Sequence, residues 1–330
     1  MTVEVSGAVA EERVFPSLSP SRAGDFKTCP LLYRFRTVDR LPEKPNADAV
    51  RGTLLHAVLD RLFDLPAAER TPGSAEALVE PEWARMREEW SDITGLFGDG
   101  LTEEDFVAGA RSLLGGYFAV EDPRRFEPAE REIMVETVLA DELRLRGIID
   151  RLDVSPTGEM RVVDYKTGGA PREAFEARAL FQLKFYALVV WRLRGRVPRV
   201  LRLVYLKDAE VCDYTPDEEE LSRFERTLVA LWQAIERATA DRDFRPRPSR
   251  LCGWCSYQDL CPAYGGTPPP YPEKRPEPAP PVDGATAAGP GRPATTAGGD
   301  APAQPTATPA QPVAAPADVA APAIPAAPPA

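Results

Sequence analysis

Residues 143–168 read LRLRGIIDRLDVSPTGEMRVVDYKTG, and two apolar runs meet there across a turn. Leu143–Val154 and Glu159–Lys166 are rich in Ile, Val and Leu, a strand composition. Ser155-Pro156-Thr157-Gly158 between them supplies proline and glycine where a chain reverses. The two runs therefore read as a hairpin. Pairing outward from Val154 opposite Glu159 brings Asp150 opposite Val163, or opposite Asp164 if the loop shifts the register by one. In either register two carboxylates become neighbours across the ladder, with Cβ atoms roughly 5–8 Å apart. Adjacent like charges are unfavourable unless a cation lies between them. The strand period of two puts Lys166 on the face of Asp164 and turns Tyr165 away. Two acids and a lysine at one strand edge suit a hard divalent ion and a phosphate. The ion would lower the pKa of a bound water, and Lys166 would orient that water or stabilise phosphoryl charge. Taken alone, an Asp-x-Lys at a strand end also reads as a turn residue and a surface lysine. Asp150 follows the apolar Gly147-Ile148-Ile149, where an unpaired carboxylate is costly. Arg146 or Arg151 could equally be its partner.

Working outward, Glu132–Leu139 reads as a third strand before the hairpin. A long amphipathic helix is expected over about Arg172–Leu193, then a strand over Val200–Leu206 and a short one over Val211–Tyr214. Leu221–Ala238 reads as a further helix. Upstream, Ser19-Pro20 has the form of an N-cap followed by proline at the first helical position. That helix should carry Phe26 and Cys29 on nearby faces. Ala49–Phe63 has an apolar stripe of Leu55, Leu59, Leu62 and Phe63, and further helices are expected near Pro81–Trp90 and Glu103–Ala119. Helices, three strands, helix, strand, helix make an α/β core with a helical lobe before it.

Three more residues are candidates because of where they fall. His56, the single histidine, lies one turn after Gly52, whose small size could open space beside it. It reads equally as a packed core residue. Gln182 and Tyr186 are four apart on the long helix and face one way, as a polar helix edge also would.

The chain has 330 residues and 36 prolines, about half of them after Gly265. That Pro/Ala/Gly/Thr segment cannot bury enough surface to offset its ordering entropy, so 265–330 is expected to be a disordered tail. Residues 1–14 read as a flexible start, and 15–264 as one domain with a real core. No run approaches 18 apolar residues, so no membrane helix is expected. Met1–Glu12 lacks a basic region followed by an apolar run, so the chain does not look exported, and a cytoplasmic location is expected. Its five cysteines then read as reduced thiols.

Net charge is −11, which by itself disfavours a nucleic-acid partner. Its distribution says otherwise. Residues 177–207 hold eight cations from Arg178 to Lys207 and no acid, residues 20–40 are also basic, and 69–105 is acidic. A basic track beside an acidic lobe could guide a polyanion; the plainer reading is a set of solvated faces.

Cys252, Cys255 and Cys261 form C-x-x-C-x-x-x-x-x-C, and Cys29 lies far upstream. The set could hold zinc or a [4Fe–4S] cluster, although one very distant ligand is less usual for zinc, which draws on two local pairs. Cys29 also reads as a small buried apolar residue, and Cys212 as packing.

In their order and combination these motifs resemble the RecB-family exonucleases of the PD-(D/E)xK superfamily, over about residues 16–264. Arg51-Gly52-Thr53-Leu54-Leu55-His56 looks like the family's histidine motif, and Gly147-Ile148-Ile149-Asp150-Arg151-Leu152-Asp153 like its first aspartate motif. Val163-Asp164-Tyr165-Lys166-Thr167-Gly168 is similar to its D-Y-K-T-G motif, and Gln182-Leu183-Lys184-Phe185-Tyr186 to its Q-x-x-x-Y motif. The four cysteines match the iron–sulfur variant seen in the AddB nuclease subunit and in CRISPR-associated adaptation nucleases. Ile149 stands where the superfamily name has proline, which is ordinary in this branch.

The resemblance implies a restriction-endonuclease-like core, a mixed sheet flanked by helices, with an N-terminal helical lobe and an iron–sulfur staple. It implies that His56, Asp150, Asp164 and the backbone carbonyl of Tyr165 bind Mg²⁺ or Mn²⁺. Lys166 would be catalytic, with Gln182 and Tyr186 lining the site. Cys29, Cys252, Cys255 and Cys261 would hold [4Fe–4S] and join the two ends of the domain. The implied activity is exonucleolytic hydrolysis of single-stranded DNA or DNA ends, in repair or recombination. Two other readings compete: a non-catalytic DNA-binding or scaffold subunit of a helicase–nuclease complex, and an iron–sulfur redox carrier. A pure scaffold has no use for adjacent carboxylates, and a carrier none for the nuclease-like residues. The sequence lacks G-x-x-x-x-G-K-[ST], so any unwinding would need a helicase partner.

Overall fold

The hairpin forms as expected, with a five-residue loop in place of four. In a computed structural model, Ser155 N–H reaches the Glu159 carbonyl at 2.9 Å, and Gly158 takes φ +77°, which glycine adopts without strain. The extra loop residue pairs Val154 with Met160 and Arg151 with Val163, the register that points Asp150 toward Asp164, although the ladder itself ends at Arg151. The structure describes residues 17–43, 46–90, 93–97, 100–139, 143–170 and 176–272. The flexible start expected over 1–14 and the tail from 273 lie outside the described residues.

The elements run β1 (Ser17–Leu18), α1 (Pro20–Thr28), α2 (Pro30–Tyr33), α3 (Ala47–Leu62), α4 (Pro72–Glu89), α5 (Glu103–Val120), β2 (Glu130–Val138), β3 (Arg144–Val154) and β4 (Met160–Lys166). They continue with α6 (Glu176–Arg194), β5 (Val200–Tyr205), β6 (Glu210–Tyr214) and α7 (Glu218–Ala240). The strands make one mixed sheet in the order β1-β3-β4-β5-β6, with β2 also on β3. β1–β3 and β4–β5 are parallel; β2–β3, β3–β4 and β5–β6 are antiparallel. The α/β architecture with a mixed sheet between helices is the one expected.

Each face of the sheet has its own core. Ile149, Val162, Leu201 and Leu203 pack with α1, α2, α6 and α7. Val163, Tyr165, Val204 and Leu206 pack with α3, α4 and α5. Alternation along β4 and β5 divides the residues between the two faces, as the pleat requires.

Local chemistry sets several helix ends. Ser19 accepts from Arg22 N–H ahead of Pro20, as its sequence indicates. Cys29 is the residue that ends α1 rather than part of its face. Thr71 caps Pro72 in the same way, so α4 starts nine residues before the expected Pro81, which lies inside it. A proline after a glutamate looks like a helix start, but Thr71-Pro72 is the better one. Thr102 and Asp105 form a capping box on α5.

The expected tail boundary needs adjusting. Residues 265–272, which composition assigns to the tail, lie along the domain. Arg34 donates to the Pro269 carbonyl at 2.5 Å, and Tyr271 stacks on Phe244 at 6.2 Å between centroids. No helix among the described residues is long and apolar enough to cross a membrane.

Candidate active site

β3 is irregular at Asp150, and this irregularity builds the site. Ile149 packs on the α6 side of the sheet, whereas Arg151 reaches the Tyr165 hydroxyl on the other side at 2.6 Å. Residues two apart on a regular strand would share a face. Opposite, β2 pairs Arg131 with Arg151 and Ile133 with Ile149, leaving no ladder pair at 132 and 150. Glu132, at that gap, takes φ +41°. A left-handed glutamate within a strand costs about 1–3 kcal/mol and needs surroundings that enforce it.

Glu132 and Asp150 thus come beside His56 of α3. Among the described residues, the one group of three or more His, Cys, Asp or Glu donors within 4.8 Å of one another is His56, Glu132 and Asp150. His56 is 7% exposed. Its Nε2 lies 3.0 Å from the Tyr165 carbonyl, which can only accept, so Nε2 carries the proton. Nδ1 then faces Asp150 Oδ1 at 3.5 Å and Glu132 Oε1 at 3.7 Å and makes no hydrogen bond. In neutral His56 this nitrogen is a bare lone pair aimed at two carboxylates. Three acceptors converging in a buried space require a positive charge. In its absence the histidine is driven to take a proton: burial opposes this, but Asp150 and Glu132 outweigh it and hold His56 well above its usual pKa. The donor set, one imidazole nitrogen and two carboxylates, therefore fits a divalent cation.

Asp150 is fixed by its other oxygen, which accepts from Tyr165 N–H at 2.7 Å. Burial pushes its pKa up, but His56, Lys166 and that N–H prevail and hold it below the usual range. Arg151, a partner considered for Asp150, goes instead to Glu121 through two bonds of 2.7 and 2.9 Å. This buried pair and the Tyr165 hydroxyl lock Tyr165, whose backbone serves both His56 and Asp150.

Asp164 is 1% exposed, with Oδ2 2.6 Å from Lys166 Nζ. Its carboxyl is pushed up to about 6, by burial first and by Asp150, against the pull of Lys166. Lys166 Nζ donates to Gln182 Oε1 at 2.9 Å, and Gln182 Nε2 donates to the Tyr186 hydroxyl at 3.2 Å. Tyr186 lies over Gly147: a Cβ there would sit 2.7 Å from its ring. The glycine of Gly147-Ile148-Ile149-Asp150 is thus needed for close helix–strand contact. Gly52 faces Thr167 Oγ1, at 3.6 Å from where its own Cβ would lie.

His56, Asp150, Asp164, Tyr165, Lys166, Gln182 and Tyr186 are thus brought together where β3, β4 and α6 meet α3. Three details differ. Asp164 lies outside the tight three-donor group and turns to Lys166. The Tyr165 carbonyl, expected on the ion, accepts from His56, leaving it one further lone pair. Glu132 was missed, because register alone indicates it: it is opposite Asp150 only once both strand ends are known.

The four cysteines line one cavity of about 310 Å³ with Asp25, Arg36 and Tyr257, so the two ends of the domain do meet. No three of their sulfurs lie within 4.8 Å of one another. Arg247 N–H donates to Cys29 Sγ at 3.3 Å and Ser249 N–H to Cys252 Sγ at 3.2 Å. Cys212 packs at the edge of the α6-side core.

The basic run after residue 177 is largely neutralised. Lys184 pairs with Glu220, Arg192 with Glu225, Arg194 with Glu130, Arg199 with Glu159 and Arg202 with Asp213. A continuous positive track is therefore absent from these five positions, a correction to the charge reading. The partners come from distant strands and helices, which one-dimensional charge counting cannot see.

The chain is 24% identical to the Gene 69 protein of Mycobacterium phage L5 over 291 residues, covering 76% of this chain and 98% of that one. The Gene 69 protein of Mycobacterium phage D29 is 24% identical over 271 residues, covering 76% and 97%. A solved structure from Eubacterium rectale, provisionally named an exonuclease, superposes with a TM-score of 0.48 at 12% identity, covering 78% of this chain and 93% of that one. The profile of one nuclease family matches residues 17–262, from β1 through the cysteine segment. The chain belongs to the PD-(D/E)XK nuclease superfamily.

Proposed function

We propose that this chain is a divalent-metal-dependent deoxyribonuclease of the RecB type, hydrolysing single-stranded DNA or DNA ends as an exonuclease in repair or recombination. The observation that carries the reading is the convergence of His56 Nδ1, Glu132 and Asp150 beside Lys166. These three groups, together with Asp164 and the free lone pair of the Tyr165 carbonyl, would hold Mg²⁺ or Mn²⁺. A metal ion held there would supply Lewis acidity toward a phosphodiester oxygen and a nucleophilic water at neutral pH. Lys166 orients the attacking water and offsets charge developing on the phosphoryl oxygens as the leaving P–O bond breaks. Gln182 holds Lys166 in place, and Tyr186 holds Gln182.

Cys29, Cys252, Cys255 and Cys261 would hold a [4Fe–4S] cluster that acts as a staple. Zinc with bonds of about 2.3 Å would draw its sulfurs to within about 4 Å of one another. A four-iron cube spreads them wider, in keeping with the open spacing around the shared cavity, and N–H donors to sulfur suit cluster thiolates. A helicase partner would supply unwinding.

The test is an anaerobic assay of purified protein on end-labelled single-stranded DNA, duplex DNA and RNA with Mg²⁺ or Mn²⁺, alongside iron, sulfide and zinc content. Stepwise loss from DNA ends, in protein carrying iron and sulfide, is expected. DNA binding without cleavage would favour the scaffold reading, and a colourless protein carrying zinc would remove the cluster.

A further inference from the structure

A second cleft opens beside the active-site pocket. The pocket itself, about 500 Å³, is lined by His56, Lys166, Arg178 and Gln182. The neighbouring cleft, about 690 Å³, lies between α3, α5 and the end of β5, and shares Asp48, Thr167 and Gly168 with the pocket. The two spaces are therefore contiguous at the segment directly following Lys166.

Apart from Leu113, the α5 wall of this cleft carries only small residues. Gly109, Ser112, Gly116 and Ala119 recur at helical spacing on one face, while Phe106, Ala110, Leu114 and Tyr117 fill the core on another. At Gly116 a Cβ would fall 1.7 Å from the Leu206 carbonyl oxygen, so the helix rests directly on the end of β5. At Gly115 a Cβ would meet nothing within 4 Å, so this position looks into open space.

Two cations flank the wall. Arg51 is held by Asp48 at 2.9 Å and lies 5.1 Å from the Phe106 ring centroid, and Gly109 leaves room for its guanidinium. Its Nε is buried against α5 and out of a ligand's reach, so the terminal nitrogens of this fixed guanidinium, on a side chain 18% exposed, are what it offers a phosphate oxygen. Lys207 is exposed on the β5 side and makes no ion pair among the described residues. It escapes the neutralisation that affects most of the basic run.

We infer that this cleft seats the sugar–phosphate backbone of the strand leading away from the scissile phosphate, with Arg51 and Lys207 contacting phosphates. The inference rests on the nuclease reading and extends it to where the rest of the polymer lies. Backbone contacts of this type hold a strand without reading its bases, so binding through the cleft is independent of sequence. A short substrate that ends at the scissile phosphate has no use for it.

The experiment compares wild type with Lys207→Gln, Gly115→Glu and, as a control on the remote α7 surface, Arg226→Glu. Binding of a dye-labelled oligothymidylate is followed by anisotropy over a range of salt, with Ca²⁺ replacing Mg²⁺ to slow cleavage. Turnover of thymidine 5′-phosphate p-nitrophenyl ester with Mg²⁺ reports the active-site pocket alone. Lys207→Gln should reduce the slope of log affinity against log salt by about 0.7, the loss of one phosphate contact on a single strand. Gly115→Glu places bulk and negative charge in the cleft without a clash and should lose most of the affinity. Arg226→Glu should bind as wild type does, and all three should turn over the small ester normally. Wild-type affinity and slope in both cleft variants would overturn the inference. Wild type that neither binds the oligonucleotide nor hydrolyses the ester would overturn the nuclease reading, and this inference with it.

Discussion

Replacing Asp164 with asparagine is expected to stabilise the metal-free protein above pH 6 while abolishing its chemistry. Burial, and then Asp150, raise this carboxyl from 3.8 to about 6 despite Lys166. Between those values the folded chain binds a proton that the unfolded chain has released. Stability therefore falls as pH rises from about 4 to about 6, and the whole cost is present at pH 7. A rise of 2.2 in pKa at 1.36 kcal/mol each is about 3 kcal/mol. Asparagine keeps the shape and sheds the charge, and the attraction of Lys166 is already contained in that raised pKa. The expected gain is therefore about 3 kcal/mol at neutral pH, and it vanishes near pH 4, where Asp164 is protonated in the native state. Urea unfolding in EDTA, followed by circular dichroism at several pH values, measures it. Adding Mg²⁺ should then stabilise wild type more than the variant, because only wild type keeps the full acidic set. A variant less stable than wild type in EDTA at neutral pH would refute the reasoning, making Asp164 a structural partner of Lys166.

Other perturbations have equally definite outcomes. Glu132→Gly should relieve the φ of +41° and stabilise the metal-free chain by about 1 kcal/mol, while calorimetry shows weaker Mn²⁺ binding; undiminished binding would remove Glu132 from the ligand set. Gly147→Ala forces the Tyr186 ring aside and should cost about 1–3 kcal/mol by thermal melting, with slower cleavage as Gln182 loses its support. A chain ending at Pro272 should melt and cleave short DNA as the full chain does. One ending at Tyr264 should melt lower, because it loses Tyr271 from Phe244 and Arg34; equal melting of the two would show that this packing contributes little.

The legible features of this molecule are those fixed by local chemistry. The apolar runs and the Pro/Gly turn define β3 and β4, and the Ser19-Pro20 and Thr102 caps set helix starts. Motif order places His56, Asp150, Asp164, Lys166, Gln182 and Tyr186 in one site. What could not be read depends on juxtaposition. The hairpin register depended on a single loop residue, and it alone decided between Val163 and Asp164 opposite Asp150. Glu132 enters the site only because β2 breaks its ladder there, for which an isolated Arg-Glu-Ile gives no sign. The arginines after residue 177 look like a track until Glu130, Glu159 and Asp213 arrive from other elements. Pro81 shows the converse, since a local signal was outweighed by the helix already begun at Pro72.

The central claim is that a divalent ion among His56, Glu132 and Asp150 allows this chain to cut DNA. Its most direct test is release of acid-soluble nucleotides by purified wild type and Asp150→Asn, each with Mg²⁺ and with EDTA, after checking that both melt alike. The account predicts release by wild type with Mg²⁺ alone, and none by Asp150→Asn in either condition. Release that persists in EDTA, or that Asp150→Asn leaves undiminished, would contradict it.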